Sequence, residues 1–331
     1  MTSPPSTMLA ARYERTGPAR EVLQLLEQPR PEPGPDEVRV RVHASGVNPS
    51  DVKSRRAPQM RHPAVTPHSD GAGVIDAVGE GVPDARVGER VWTFNAQWRR
   101  PFGTAAEYTV LPAALAVPLP EGVSFEVGAC LGIPALTAWE AVHGEDASEG
   151  ETVLVQGGAG AVGHLAVQLA AGAGKRVIAS VSSADKAALA LAAGASAVVD
   201  YRSEDVAARI AELTGSRGVD RVIEVNLSAN AATYTRVLRP GGRVTVYGSD
   251  NWQAVLPLND YLVHGLALRF FIVYELNARQ RAAGIAGVHQ ALADGLDVKI
   301  AARFGLADIV AAHEMVEAGR QVGNVVVLPA G

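Results

Sequence analysis

Three glycines, Gly158, Gly160 and Gly163, stand as G-x-G-x-x-G inside VLVQGGAGAVGHLAVQLA, Val153 to Ala170. An apolar run leads into them and an amphipathic, helix-period pattern leaves. Glycine at this spacing suits a diphosphate. The first allows a tight turn, the second lets the backbone approach the anion, and the third lets helix and strand pack closely. The helix start adds unpaired N–H groups and a partial positive charge. With Ala159, Ala161 and Val162 between them, these glycines form a candidate phosphate cradle for a dinucleotide. The alternative is a Gly-rich turn with no ligand.

The next strand speaks to which dinucleotide. A site for NAD places Asp or Glu at its end, where the ribose hydroxyls lie. Here RVIAS runs into VSSADK. Ser180, Ser182 and Ser183 are small donors that do not repel a 2′-phosphate, and Lys186 follows within one helical turn. Asp185 falls in the first turn of a helix, where an acid is ordinary. Tyr201, after the third strand, could cover the adenine or donate to the phosphate. The charge balance favours NADPH over NADH. The alternatives are a solvated helix face for Lys186 and edge packing for Tyr201.

Other chemistry is poorly provided for. The chain has one cysteine, Cys130, so no disulfide can close within it. His43, His62, His68, His143 and His164 do not pair at metal-ligand spacing, and no metal site is expected. No G-x-S-x-G elbow appears, which disfavours a Ser–His–Asp hydrolase.

These residues need elements to place them. Before about residue 125 the chain is dense in proline and glycine. PRPEPGPDEV is extended, and VRVRVHASGV alternates so that Val38, Val40 and Val42 share one face. From about Phe125, strand-like and helix-like segments alternate: TVLVQ, AVGHLAVQLAAGAG, RVIASV, SADKAALALAAG, AVVDY, SEDVAARIAELTG, VDRVIEV, SANAATYTRVLRPGG and RVTVYG. Such alternation predicts a parallel sheet with helices on both faces. A strand-like LALRFFIVYEL, a helix from about Ala278 to Gly295, and a short terminal VVVL follow. The last is expected to return to the first domain.

The composition bounds the rest. The 331 residues are 47% hydrophobic, 20% charged and only 5% aromatic, so small residues must build much of the core. The formal net charge is −5 and no sustained basic block exists, which argues against a nucleic-acid partner. No apolar run reaches membrane-spanning length, and the start, MTSPPST, reads as a frayed tail rather than a secretory signal. A cytoplasmic location is expected.

The stretches HASGVNPSDVK, TPHSDGAGVIDAVGEGV, VGERVW, GTAAEYTV, GIPALTAWEAV, the glycine loop, DYRSEDV and LRPGGRVTVYGS, in this order, carry a resemblance. The chain resembles the zinc-independent medium-chain dehydrogenase/reductases, and most closely the zeta-crystallin type of quinone oxidoreductase. The resemblance implies an α/β protein: a GroES-like, mostly-β catalytic domain over 1–126 and 266–331, plus a Rossmann doubly wound parallel sheet over 127–265. It also implies a cleft between them, a homodimer, and NADPH-dependent reduction of quinones or activated C=C bonds. A dedicated enoyl reductase and a non-catalytic NADPH-binding protein are the alternatives.

Carried over residue by residue, the resemblance places Asn48, Ser69 and Ile133 where zinc-dependent relatives have their metal ligands, which Asn, Ser and Ile do not replace. Cys130 reads as a small core residue. Asn48 would hydrogen-bond the ribose or polarise a substrate carbonyl, the alternative being an Asx-turn before Pro49. Lys53 stands where relatives often carry Tyr, and would donate to a developing enolate, pair with a cofactor phosphate, or be solvated. Thr137 takes the position beside the nicotinamide carboxamide. Asn226, Asn230, Tyr247, Gly248 and Ser249 follow the fourth and fifth Rossmann strands. Phe270, Phe271 and Ile272 would flank the nicotinamide, or else form a core or dimer strand. Asn324 replaces a common Lys. WTFNAQWRRPF, Trp92 to Phe102, reads as a substrate entrance in which Trp98, Arg99 and Arg100 could meet an anionic aromatic substrate, or as a plain surface loop.

Overall fold

A computed structural model describes residues 6–145 and 150–329. The expected frayed tail lies outside them as far as residue 5, and Thr7 already opens the first strand. The chain divides into two compact units, 1–134 with 298–331, and 135–297.

The first unit is built from strands β1 (Thr7–Arg12), β2 (Gln24–Pro29), β3 (Glu37–Val47), β4 (Asp70–Val78), β5 (Arg90–Thr93), β6 (Tyr108–Pro112) and β7 (Ala116–Pro118). β1 and β2 pair antiparallel. The long β3 pairs antiparallel with β4 along one edge and, with its first half, with β6 along the other. Val38, Val40 and Val42 are buried, as their alternation predicts, while Arg41 is exposed. Arg39 is buried too, because its guanidinium reaches Asp76 at 2.9 Å and Glu32 at 2.7 Å. A short helix α1 (Pro49–Arg55) follows β3.

The second unit holds β8 (Thr152–Val155), β9 (Arg176–Val181), β10 (Ala197–Asp200), β11 (Val219–Glu224), β12 (Leu238–Val246) and β13 (Ala267–Phe270). They form one parallel sheet in the order β10-β9-β8-β11-β12-β13. This is the doubly wound Rossmann order, reversing between β8 and β11. Every residue of β8 and β11 is buried, as strands covered on both faces require. The longer helices are α2 (Leu136–His143), α3 (Ala161–Gly172), α4 (Ala184–Ala192), α5 (Val206–Thr214), α6 (Leu258–His264) and α7 (Ala278–Ala293). Among these helices, α4 and α5 are capped by side chains. Ser183 caps α4, Asp205 caps α5, and α5 ends at Gly215 with φ of 60°. The fully buried Arg221 joins Glu151, itself buried, at 3.0 Å, and its guanidinium also donates to the Ala141 and Val142 carbonyls at the end of α2.

The last segment supplies β14 (Ile300–Gly305), α8 (Ile309–Ala318) and β15 (Asn324–Leu328). β15 sits between β14 and the second half of β3, so the terminal VVVL does return to the first unit.

Three expectations change. The segment 266–297 goes with the parallel sheet rather than with the first domain, because β13 pairs with β12 and Trp139 of α2 lies against Gly284 and Gly287 of α7. LALRFFIVYEL is a strand only over Ala267–Phe270, after which a 3-10 turn covers Val273–Glu275. SANAATYTRVLRPGG is no single helix. It breaks into one-turn pieces, and β12 begins at Leu238, taking the LRPGG stretch into the sheet.

Candidate functional site

In the second unit, the glycine loop leaves β8 and turns into α3. The residue in the left-handed region is Gly157, at φ of 66°, not Gly158 as the motif suggests. Gly158 donates its N–H to the Ser180 carbonyl at 2.9 Å, and a Cβ on it would lie 2.6 Å from Ala179 on β9. Gly163 lets α3 close on the loop, since a Cβ there would stand 2.1 Å from the Gly157 carbonyl oxygen. Gly160 differs. Its backbone, φ −76° and ψ 172°, suits any residue, and a Cβ on it would come no nearer than 3.3 Å to anything. It is exposed at the N-cap of α3, where the first-turn N–H groups have no intrahelical acceptor. Ala159 is buried, and Ala161 and Val162 are half-buried beside it.

Ser180 does not reach outward. It is buried, donates to Gln156 Oε1 at 2.5 Å and accepts the Gly157 N–H at 3.0 Å. It therefore shapes the loop from beneath. Ser182, Ser183, Lys186 and Tyr201 lie together past the ends of β9 and β10. The Tyr201 N–H donates to the Val181 carbonyl, its ring is exposed, and the Ser183 hydroxyl accepts the Lys186 N–H.

Past β11 and β12 the organiser is Glu224, which the sequence reading missed. Its carboxyl is fully buried and accepts from the Asn226 N–H, from Asn230 Nδ2 at 3.1 Å and from the Tyr234 hydroxyl. Burial pushes it up to about 7 against those hydrogen bonds. Burial, with the Glu224 charge, also pushes the Tyr247 phenol up. Asn226 is further tied to Asp250 at 2.5 Å, and the Ser249 hydroxyl accepts the Ser228 N–H at 3.1 Å. A Cβ on Gly248 would meet the Val225 carbonyl oxygen at 2.5 Å. The Phe271 ring lies 6.5 Å from Tyr247, whereas Phe270 and Ile272 are exposed. Thr137 is buried in the first turn of α2.

In the first unit, Asn48 caps α1. It is buried, its N–H donates to Asp51 at 2.8 Å, and its Nδ2 donates to Asp70 Oδ2 at 2.9 Å. Asp70 Oδ2 also accepts the Ile133 N–H at 2.8 Å. Burial raises both acids, Asp51 to about 7 and Asp70 well above the carboxylate range. Both Asp70 donors sit on Oδ2, while Oδ1 faces Gly132. Lys53, on the same helix, points to the exposed side. Asn324 is buried, and its Nδ2 donates to the Lys299 carbonyl at 3.0 Å.

A buried chain of hydrogen bonds ends on Asp70. Arg55 Nε has only a proton to give, so it donates to His313 Nδ1 at 3.5 Å. His313 Nε2 then carries the proton toward His68 Nε2 at 3.0 Å, and His68 Nδ1 donates to Ser45 at 2.8 Å. Ser45 donates to Thr104 at 2.7 Å, and Thr104 to the Asp70 carbonyl at 2.5 Å. Every link runs in one direction with both imidazoles neutral, in keeping with the lowering of both by burial, His313 to about 3. His68 adopts φ of 76° to join it. These partners lie as far as 258 residues apart, beyond any spacing rule.

At the three positions where the resemblance puts zinc ligands, Asn48 and the Ile133 N–H are hydrogen-bond donors to Asp70, and Ser69 is buried. Among the described residues no group of three or more His, Cys, Asp or Glu could hold a metal ion. Cys130 is buried with its thiol on the Glu126 carbonyl at 3.3 Å, a core residue as expected.

A family model for the alcohol dehydrogenase GroES-like domain matches residues 34–121, and one for zinc-binding dehydrogenases matches 161–288. The quinone oxidoreductase of Rattus norvegicus is 37% identical over 240 residues, 71% of each chain. That of Lama guanicoe is 30% identical over 327 residues, 97% of each. Mycobacterial Rv1454c, solved in complex with NADPH, superposes with a TM-score of 0.88 at 31% identity, covering 97% of this chain and 100% of that one. The quinone oxidoreductase of Pseudomonas syringae pv. Tomato gives 0.87 at 30%, with the same coverage. The chain belongs to the quinone oxidoreductase family of the medium-chain dehydrogenase/reductases and is an oxidoreductase.

Proposed function

We propose that this chain is an NADPH-dependent reductase that delivers hydride to quinones or activated α,β-unsaturated carbonyls without zinc. The observation that carries the reading is Gly160. Its backbone angles do not call for glycine, and a Cβ would ask the Gly157 carbonyl oxygen, at 3.3 Å, to give by only a few tenths of an ångström. A diphosphate laid against the N-terminus of α3 would call for it, because a side chain there would hold the anion away from the N–H groups. The 2′-phosphate would take Ser182, Ser183 and Lys186, with no acid at the end of β9 to repel it. A structural relative solved with NADPH and relatives named quinone oxidoreductase support the same reading.

When bound, NADPH supplies the hydride. The chain's own residues orient, exclude water and handle the proton. Asn48, held by Asp51 and Asp70, would present its amide to the acceptor carbonyl or the ribose. Glu224 would fix Asn226 and Asn230 past β11. Thr137, Tyr247, Gly248, Ser249 and Phe271 are proposed to meet the nicotinamide half of the cofactor. For Ser180 we propose an indirect role, through the loop, and we leave Lys53 and Asn324 as secondary candidates.

We further propose a homodimer formed through the β13 edge. β13 ends the sheet order, and Trp252, Val255, Leu258, Leu262, Val263 and Phe270, all in this region of the chain, are exposed apolar residues. No helix of the described residues is long and apolar enough to cross a membrane. The single cysteine fits the cytoplasm we propose.

NADPH oxidation with 9,10-phenanthrenequinone, an enone panel and crotonyl thioesters tests the reaction. Turnover of quinones or enones is expected, and tight NADPH binding with no turnover on any of them would refute the catalytic reading. Lys186→Ala should raise the KM for NADPH and leave that for NADH nearly unchanged. An equal effect on both would refute the 2′-phosphate assignment.

A further inference from the structure

Three tyrosines are within reach of Glu224. Tyr234 bonds to it, and Tyr247 and Tyr261 feel its charge. Two of them spend their hydroxyls inside the protein, Tyr234 on Glu224 itself and Tyr261 on the Ala231 carbonyl at 2.8 Å. Tyr247 is different. It is half-buried and its ring meets Phe271, yet among the described residues its hydroxyl has no hydrogen-bond partner. A tyrosine packed into a fold usually gives its O–H to something. What remains for this one is water or a bound molecule.

The place of that ring is fixed across three strands. The Tyr247 N–H donates to the Glu224 carbonyl at 3.1 Å, and the Phe271 N–H to the Val246 carbonyl at 3.1 Å, which laces together the C-terminal ends of β11, β12 and β13. Gly248 follows at once, so close to Val225 that a Cβ on it would meet that carbonyl oxygen at 2.5 Å. The Phe271 ring lies 6.5 Å from the Tyr247 ring, tilted by 46°. Behind it the Arg269 guanidinium stands 5.2 Å from the Phe271 centre and pairs with the buried Glu140. Tyr247 therefore belongs to a braced wall rather than to a free loop. In a doubly wound sheet, ligands lie outside the C-terminal ends of the strands at the point of reversal, here between β8 and β11. The glycine loop on β8 is the diphosphate cradle, and the candidate 2′-phosphate residues follow β9. The hydride-bearing end and the acceptor are left the side of β11 and β12, and Tyr247 is the first residue past β12.

We propose that Tyr247 is a catalytic residue whose hydroxyl donates a hydrogen bond to the carbonyl oxygen of the electron acceptor and stabilises the negative charge that hydride transfer places there. The phenol suits the task. Burial and the Glu224 charge hold it above its ordinary range, so it keeps its proton to donate. A fixed neutral donor acts more strongly on an oxygen that is gaining charge than on the ground-state carbonyl, and so lowers the barrier. This rests on the reductase reading and names the group that receives the acceptor's oxygen.

Tyr247→Phe removes the hydroxyl and keeps the ring against Phe271. Thermal melts of the two proteins should coincide, and a lower Tm would give the hydroxyl to the fold and overturn the proposal. With 9,10-phenanthrenequinone, kcat/KM should fall about 10- to 100-fold while the calorimetric Kd for NADPH stays unchanged. An unchanged kcat/KM overturns the proposal, and so does a loss of NADPH affinity, which would give the hydroxyl to the cofactor. A second readout needs no turnover. 4-Nitrophenolate carries an anionic oxygen on a planar ring, and its absorption moves to shorter wavelength when that oxygen accepts a strong hydrogen bond. The band should move on the NADP+-loaded wild type and stay in place on the NADP+-loaded Tyr247→Phe protein. That difference supports the donor even if no quinone or enone is reduced, and a band that behaves alike with both proteins overturns it.

Discussion

Gly160→Ala separates a phosphate cradle from a turn. In the unliganded protein the substitution should be almost silent. The new methyl comes within 3.3 Å of the Gly157 carbonyl oxygen, which asks for a shift of a few tenths of an ångström at most. Alanine is a poorer N-cap than glycine by about 0.5–1 kcal/mol. Against that, the unfolded chain loses freedom worth about 0.4–1 kcal/mol. The two nearly cancel, so Tm should move by no more than about 2 °C. With NADPH present the methyl occupies the approach to the α3 N-terminus. Losing or lengthening one charge-assisted N–H contact to phosphate is worth about 1.5–3 kcal/mol, a Kd increase on the order of 10- to 100-fold. Calorimetric titration of NADPH, with a thermal melt of each protein, reads both quantities. Gly163→Ala is the control, because its Cβ would stand 2.1 Å from backbone and must displace α3 from the loop, lowering Tm and affinity together. A Gly160→Ala protein that binds NADPH as tightly as the wild type would refute the cradle and leave the motif a turn.

Three further outcomes follow from buried polar groups. Arg221→Met should cost about 3 kcal/mol in urea unfolding, since the Arg221–Glu151 pair is lost while Lys175, at 2.9 Å, still neutralises Glu151. A wild-type stability here would mean that the pair contributes nothing. Glu224 binds its proton more tightly folded than unfolded, its carboxyl standing near 7 against 4.5. Its contribution is therefore complete below about pH 4.5 and is lost as pH rises to about 7, up to roughly 3 kcal/mol. Glu224→Gln should flatten the stability profile in that window relative to wild type, and parallel profiles would contradict the assignment. His313→Phe keeps a ring against His68 but strands Arg55 Nε and His68 Nε2. It should cost about 1–3 kcal/mol and leave the NADPH Kd unchanged, and a weaker Kd would show that the hydrogen-bonded chain reaches beyond its own unit.

The parallel sheet was legible because period, turn and helix alternate over short distances, and each such signal is local. Gly158, Gly160 and Gly163 were readable as a set. Gly157 was not, because a left-handed φ is a property of the folded turn and has no slot in the motif. Ser180 was read as facing outward because alternation along a strand gives the face but not whether the site lies above or below it. Glu224 does carry a local signal, an acid inside an apolar strand. The tether of 266–297 to the second unit depends on β13 finding β12, and the His68–His313 contact on residues far apart in sequence, neither of which local pattern encodes.

β15 completes a sheet begun some three hundred residues earlier, and this sets an order in time. During synthesis the second unit is continuous and emerges whole. The first must wait with the Ser45–Val47 edge of β3 unpaired and His68 lacking its partner until α8 and β15 arrive. An open strand edge is the part of a nascent chain most prone to pair wrongly. Residues 135–297 can thus fold without waiting, whereas the Ser45–Val47 edge of β3 stays open until β15 has been made.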